Sequence, residues 1–193
     1  MLNLNGNEFK SQSVAIFNNG IAGKVENVSI AVEKKKSDDP DMAPDYKIIF
    51  TDDIGSINMG IYYPTDQSTD QQIKLTVGKV LAITRAVMGD EHVFPEVSSA
   101  KEAIDVCLKL VNKNQETAKV NVFASYGTQD KPKNYLGVYK NFDFVEKAGT
   151  TPSKLKVTRN PNRPQYNDLL ERIEADAPKE SAVETAASDE DWI

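Results

Sequence analysis

Four aromatic residues, Tyr62, Phe123, Tyr135 and Tyr139, stand out of phase with apolar neighbours that read as strand interiors: Ile57, Met59 and Ile61, then Val120 and Val122, then Leu136 and Val138. Successive side chains on a strand point to opposite faces, so this parity places the four rings outside the core. Gly60 and Gly137 share the outer parity and leave flat places where another group can approach the backbone. From Lys131 to Arg163 there are eight bases (Lys131, Lys133, Lys140, Lys147, Lys154, Lys156, Arg159 and Arg163) against two acids, Asp143 and Glu146, a local net of +6. Exposed rings beside cations suit single-stranded nucleic acid, because rings stack on bases at ~1–3 kcal/mol each while cations follow the phosphates. Duplex DNA keeps its base faces stacked and offers the rings nothing. On this reading Tyr62, Phe123, Tyr135 and Tyr139 stack on bases. Lys131, Lys133, Lys140, Lys154, Lys156 and Arg159 hold phosphates. The competing reading packs the rings under helices or at a dimer interface and keeps the lysines for solubility.

Catalytic signatures are missing. The chain has no phosphate-binding Gly-x-x-x-x-Gly-Lys loop, no Gly-x-Ser-x-Gly elbow, no His-Glu-x-x-His and no Gly-x-Gly-x-x-Gly after a strand. One His, His92, and one Cys, Cys107, are too few for a zinc site of the usual kind, and a lone Cys allows no intrachain disulfide. His92 sits beside Asp90 and Glu91 with no nucleophile near it in sequence. Cys107 falls on the apolar stripe of a helix and reads as core. The cluster Asp38, Asp39 and Asp41 lacks the Gly and distal Glu of a calcium loop and reads as an exposed acidic loop. A non-enzymatic protein with no cofactor and no metal is expected. The enzymatic rival is a metal-dependent nuclease built from scattered acids such as Asp52, Asp53 and Asp143.

The elements that must position these residues follow from period and punctuation. Val28, Ile30 and Val32 recur at period two within 24–35, Tyr46, Ile48 and Phe50 within 46–51, and Ile57, Met59 and Ile61 after the Asp52-Asp53-Ile54-Gly55 turn, giving a three-strand meander. From 71 to 88 the apolar residues step by three and four and Gly89 stops the run, so a helix is predicted. Ser99 and Glu102 have capping-box spacing and open a second helix carrying Ala103, Ile104, Cys107, Leu108 and Val111. Strands resume over 119–126 and, after a polar loop at 127–134, over 135–145. The expected fold is mainly β with inserted helices. An OB-fold-like antiparallel barrel of five to six strands, with two helices between strands three and four, fits this order; an open antiparallel sheet backed by two helices fits the periodicity equally.

The 193 residues carry 23 Lys+Arg against 29 Asp+Glu, a net of −6. Residues 174–193 hold seven of the acids and one base and account for that whole net, so residues 1–173 are neutral. The expected organisation is a core over 1–148, a basic linker over 149–164, a short amphipathic helix over 165–173 from Tyr166, Leu169, Leu170 and Ile173, and a disordered acidic tail over 174–193. No apolar stretch reaches the ~20 residues that span a bilayer, and the absence of a leader and of disulfides points to a reducing, cytoplasmic setting. The tail closes with Asp189, Glu190, Asp191, Trp192 and Ile193, acids followed by the single tryptophan, which has the chemistry of a docking peptide.

This layout, a single OB-like core, a basic aromatic face and an acidic tail ending in hydrophobic residues, resembles the single-stranded DNA-binding proteins of bacteria and bacteriophages. Bacterial members end in Asp-Asp-Asp-Ile-Pro-Phe and T7-like phage members in an acidic run closed by Phe. Here the last residues are Asp189-Glu190-Asp191-Trp192-Ile193, and the Gln/Gly/Pro-rich linker of bacterial members is absent. The phage proteins are the nearer likeness. The resemblance implies non-sequence-specific binding of single-stranded DNA in replication, recombination or repair within a host cytoplasm. It also implies a tail that modulates DNA binding and recruits replication proteins. A homodimer and a protein-interaction adaptor are the further expectations to weigh.

Overall fold

The computed structural model describes residues 16–36 and 44–173. Its order is β1 (Gly23–Lys34), β2 (Tyr46–Thr51), β3 (Ser56–Ile61), α1 (Asp70–Met88), α2 (Ala100–Asn114), β4 (Lys119–Thr128), β5 (Lys131–Gly137) and β6 (Val145–Lys147). All pairings are antiparallel and run β3-β2-β1-β4-β5, with β6 added to β4. Two helices between the third and fourth strands match the sequence expectation. The sheet is not closed: β3 and β5 come within 8 Å between Cα atoms without pairing.

The meander forms because its alternation is strict. Tyr46, Ile48 and Phe50 of β2 and Ile57, Met59 and Ile61 of β3 are buried, while Lys47, Thr51, Ser56, Asn58 and Gly60 alternate with them on the exposed side and Ile49 is half-buried. Full burial of a side chain such as Phe50 or Ile48 contributes ~1.5–3 kcal/mol each. In β1 a bulge falls between Val25 and Val28, where Asn27 takes φ 58° and its N–H donates to Asn121 Oδ1. Bulges of this kind bend a strand and sharpen its twist, which helps the sheet curl.

Each helix starts on a cap. Thr69 and Gln72 form a full capping box on α1, and Gly89, at φ 95°, ends it. The hydroxyl of Ser99 accepts from the Glu102 N–H on α2, whereas the Glu102 carboxylate reaches back to Ser98 rather than to Ser99 itself. Val80, Ile83, Thr84 and Ala86 of α1 meet Ile104, Cys107, Leu108 and Val111 of α2 within one core that Phe17, Phe50 and Phe144 complete. Cys107 is a buried core residue. Among the described residues no helix is long and apolar enough to cross a membrane.

Three local expectations are corrected. The strand predicted over 135–145 breaks after Gly137: residues 138–144 cross over irregularly, with Asp143 at φ 49°, before β6 resumes. The loop predicted over 127–134 is instead a tight turn leading into β5, which begins at Lys131. The helix predicted over 165–173 is a single 3-10 turn, Pro164–Tyr166, followed by extended chain. There the Tyr126 N–H donates to the Leu169 carbonyl, the Leu169 N–H donates to the Gly127 carbonyl, and Thr128 forms a β-bridge with Asp168. Edge pairing to β4 satisfies more backbone there than one short isolated helix can. The acidic cluster at 38–41 and the tail 174–193 lie outside the described residues.

Candidate nucleic-acid interface

The facing edges of β3 and β5 bound a cleft of about 440 Å³, lined by Ser56–Gly60 on one wall and Tyr135–Tyr139 on the other. Two glycines make the aromatic rim possible. A Cβ at Gly137 would stand 2.8 Å from the Tyr139 ring, and one at Gly60 would stand 3.3 Å from the Tyr62 ring and 3.1 Å from Pro44. The flat places expected at these positions are therefore covered by the chain's own tyrosines. Tyr62 is 56% exposed and Tyr135 61%. Tyr139 is half-buried, its ring 6.3 Å from that of Tyr135 and tilted by 54°, and its hydroxyl donates to the Tyr135 carbonyl at 3.3 Å. Burial, and then the neighbouring Tyr135, raise the Tyr139 hydroxyl above the ordinary tyrosine range.

Phe123 is the exception to the predicted set. It is 2% exposed, because the crossover between β5 and β6 closes over the outer face of β4: the Phe123 N–H donates to the Phe144 carbonyl, and Lys140 Nζ lies 4.0 Å from the Phe123 ring centre. Alternation along β4 stays correct, but both its faces are covered.

The basic residues divide in the same way. Lys140 is committed inside the protein. Its ammonium is 2.9 Å from Asp168 and 3.0 Å from Thr158 Oγ1, and it also donates to the Lys156 carbonyl. The Lys140 and Asp168 side chains are 9% and 3% exposed. Asp168 accepts further from the Thr158 N–H at 2.7 Å, and Arg159 donates to the Asp168 carbonyl at 2.6 Å. Lys140 thus ties the 156–168 stretch to the crossover that follows β5, and Arg159 closes that stretch on itself, rather than standing ready for phosphate. Leu155 is buried in that stretch, which is part of the folded body and not a free linker. Lys131, Lys154 and Lys156 are exposed and Lys133 is half-buried beside Gly127; Lys154 lies 3.8 Å from Asp90.

Of the acids of the enzymatic rival, Asp52 has a local duty and Asp53 is exposed. Asp52 accepts from the backbone of Ile54, Gly55 and Asn18; burial works against its charge, yet these N–H groups hold the carboxyl below its ordinary value. Asp143 is exposed in the crossover, and the His92 ring meets Phe94 edge-on at 5.0 Å. Among the described residues no group of three or more His, Cys, Asp or Glu is placed to hold a metal ion.

Sequence reasoning missed two anchors. Asp168 carried only the faint signal of an acid between a basic run and an apolar pair. The second anchor is Asp105, one carboxylate oxygen of which receives the hydroxyls of Tyr46 and Tyr63 and lies 3.3 Å from Lys34 Nζ, tying α2 to β1 and β2. Comparison with protein-family models, with curated proteins and with solved structures finds no match.

Proposed function

We propose that this protein binds single-stranded DNA without sequence preference, as an OB-like module of a phage-type replication or recombination system. The observation that carries the reading is the cleft between the edges of β3 and β5, with Tyr135 and Tyr139 on one wall and Tyr62 beside the other. Two further features support it. The strand order, a three-strand meander whose first strand pairs with the fourth and whose third approaches the fifth, is compatible with a partly open OB barrel, and OB folds bind oligonucleotides along their second and third strands and adjoining loops. Exposed Lys131 and Lys156, with half-buried Lys133, supply cations in the segment that also carries Tyr135 and Tyr139, and Lys154 adds one beside Asp90 at the end of α1.

In this reading Tyr62, Tyr135 and Tyr139 stack on bases and these four lysines follow the backbone. Residues 174–193, at a net of −6, compete with phosphate for the lysines, and Asp189–Ile193 recruit replication proteins. A fluorescence titration with oligo-dT tests it. Binding is expected to weaken steeply with salt, to show little base preference and to tighten when residues 174–193 are removed. No affinity of residues 1–173 for oligo-dT at low salt overturns it. In Tyr135→Ala and Tyr139→Ala, lost DNA affinity with self-assembly intact is expected, whereas lost self-assembly would favour an interaction adaptor.

A further inference from the structure

The β3 wall of the cleft carries polar groups that the fold leaves unused. The Asp52 N–H donates to the Gly55 carbonyl at 3.1 Å, so Phe50 and Ile57, and Ile48 and Met59, occupy the hydrogen-bonded positions of the β2–β3 ladder. Ser56, Asn58 and Gly60 therefore turn their backbone N–H and C=O groups the other way, toward β5. That strand does not pair with them, and among the described residues no other backbone group does. An unpaired strand edge is a template for further hydrogen bonds. The Asn58 side chain lies on the exposed side of β3 and lines the same cleft, and its carboxamide has no hydrogen-bond partner among the described residues.

No charged side chain lines the cleft. A phosphate gains nothing inside it, whereas a flat neutral group meets the Tyr135 and Tyr139 rings on one wall and an amide on the other. A carboxamide sets one donor and one acceptor side by side, and a half-turn about χ2 exchanges them. Every DNA base offers the complement on its Watson–Crick edge: the amino N–H beside N1 in adenine, the amino N–H beside N3 in cytosine, N1–H beside O6 in guanine and N3–H beside O4 in thymine. We propose that Asn58 is the base-reading residue of this cleft. Its amide bonds the Watson–Crick edge of a base held against Tyr135 or Tyr139, and turns to match any of the four. The assignment rests on the single-stranded DNA reading above and deepens it, since sequence tolerance then comes from a reversible amide as well as from stacking. Duplex DNA has these edges already paired, so the same residue selects single strands.

Asn58→Asp tests this, because it keeps the shape of the side chain and removes the donor. A carboxylate only accepts, so it makes two hydrogen bonds only with a base that has two adjacent donors. Guanine, with N1–H and its 2-amino group, is the one that does. Four oligonucleotides repeating thymine-thymine-X, with X guanine, adenine, cytosine or thymine, are titrated at low salt against the full chain and the full-length variant. The parent is expected to bind all four within about twofold of one another. Asn58→Asp should bind all of them more weakly, because of its added negative charge, yet hold the guanine oligonucleotide about tenfold more tightly than the adenine one. Hypoxanthine in place of guanine lacks the 2-amino group and should remove most of that margin. The comparison is made between oligonucleotides within one protein, so any change in its folded fraction cancels. Uniform weakening in Asn58→Asp overturns the assignment while leaving the single-stranded DNA reading in place. So does a guanine preference that hypoxanthine keeps, or a parent chain that itself separates the four by about tenfold. A parent chain that binds none of the four ends that reading, and this assignment with it.

Discussion

Lys140 and Lys156 lie sixteen positions apart in one basic run, yet the fold gives them opposite work. The Lys140 ammonium is enclosed with Asp168, so its loss leaves a buried carboxylate with only the Thr158 N–H and no cation. Breaking a buried pair from one side typically costs about 3–5 kcal/mol. Lys140→Ala is therefore expected to lower the urea midpoint strongly, and any fall in DNA affinity should track the unfolded fraction. Lys156 has an exposed side chain, and only its carbonyl is used, by Lys140. Lys156→Ala should leave the unfolding free energy within about 0.5 kcal/mol of the parent and reduce the salt slope of oligo-dT binding by about one. If the two variants exchange these behaviours, the division between structural and phosphate-facing cations is wrong.

The α2 joint illustrates what an element contributes and gives the fold a pH signature at both ends. Burial opposes the charge on Asp105, but the hydroxyls of Tyr46 and Tyr63 and the Lys34 ammonium outweigh it and hold the carboxyl below its ordinary 3.8. A depressed folded value stabilises the protein above the unfolded value and is lost as pH falls through the folded one. Tyr46 behaves in the opposite sense: burial and then Asp105 push its hydroxyl up to about 12, so its contribution is complete below 10 and disappears as pH rises toward 12. Urea midpoints followed from pH 2 to pH 12 should fall at both extremes, and Asp105→Asn should flatten the acid side. An acid limb unchanged in Asp105→Asn would remove the joint from this account. Nothing in the sequence pointed to it, because Lys34, Tyr46, Tyr63 and Asp105 meet only after two helices have folded back on the meander. The helices themselves were legible, since Gly89 and Ser99 act locally through backbone conformation and capping. The strands of the meander were legible for the same reason. Tyr62 and Tyr135 were readable as outward-facing from parity alone. Phe123 was not, because the crossover that buries it comes from residues about twenty positions further along, and alternation carries no record of what covers an outer face.

At the scale of the whole molecule the charge separates into a neutral span of residues 1–173, with a local +6 between Lys131 and Arg163, and residues 174–193 at −6. Some of that +6 is spent inside the fold, since Lys140 is paired with Asp168 and Arg159 is bonded to its carbonyl. The cations left for phosphate are fewer than the sequence count, which limits both the salt slope of DNA binding and the grip of a competing acidic segment. Both attractions are screened, but they respond differently. Oligo-dT releases condensed counterions when it binds, whereas a tethered segment with spaced acids has few to release. Raising salt from about 0.01 M to about 0.15 M shortens the Debye length from about 30 Å to about 8 Å, within which the segment's diffuse attraction largely fades. The ratio of oligo-dT affinities, residues 1–173 over the full chain, is thus expected to be largest at the lowest salt and to approach one near physiological salt, while both affinities fall. A ratio that stays constant across that range would mean that residues 174–193 act through a fixed structural contact and not through charge.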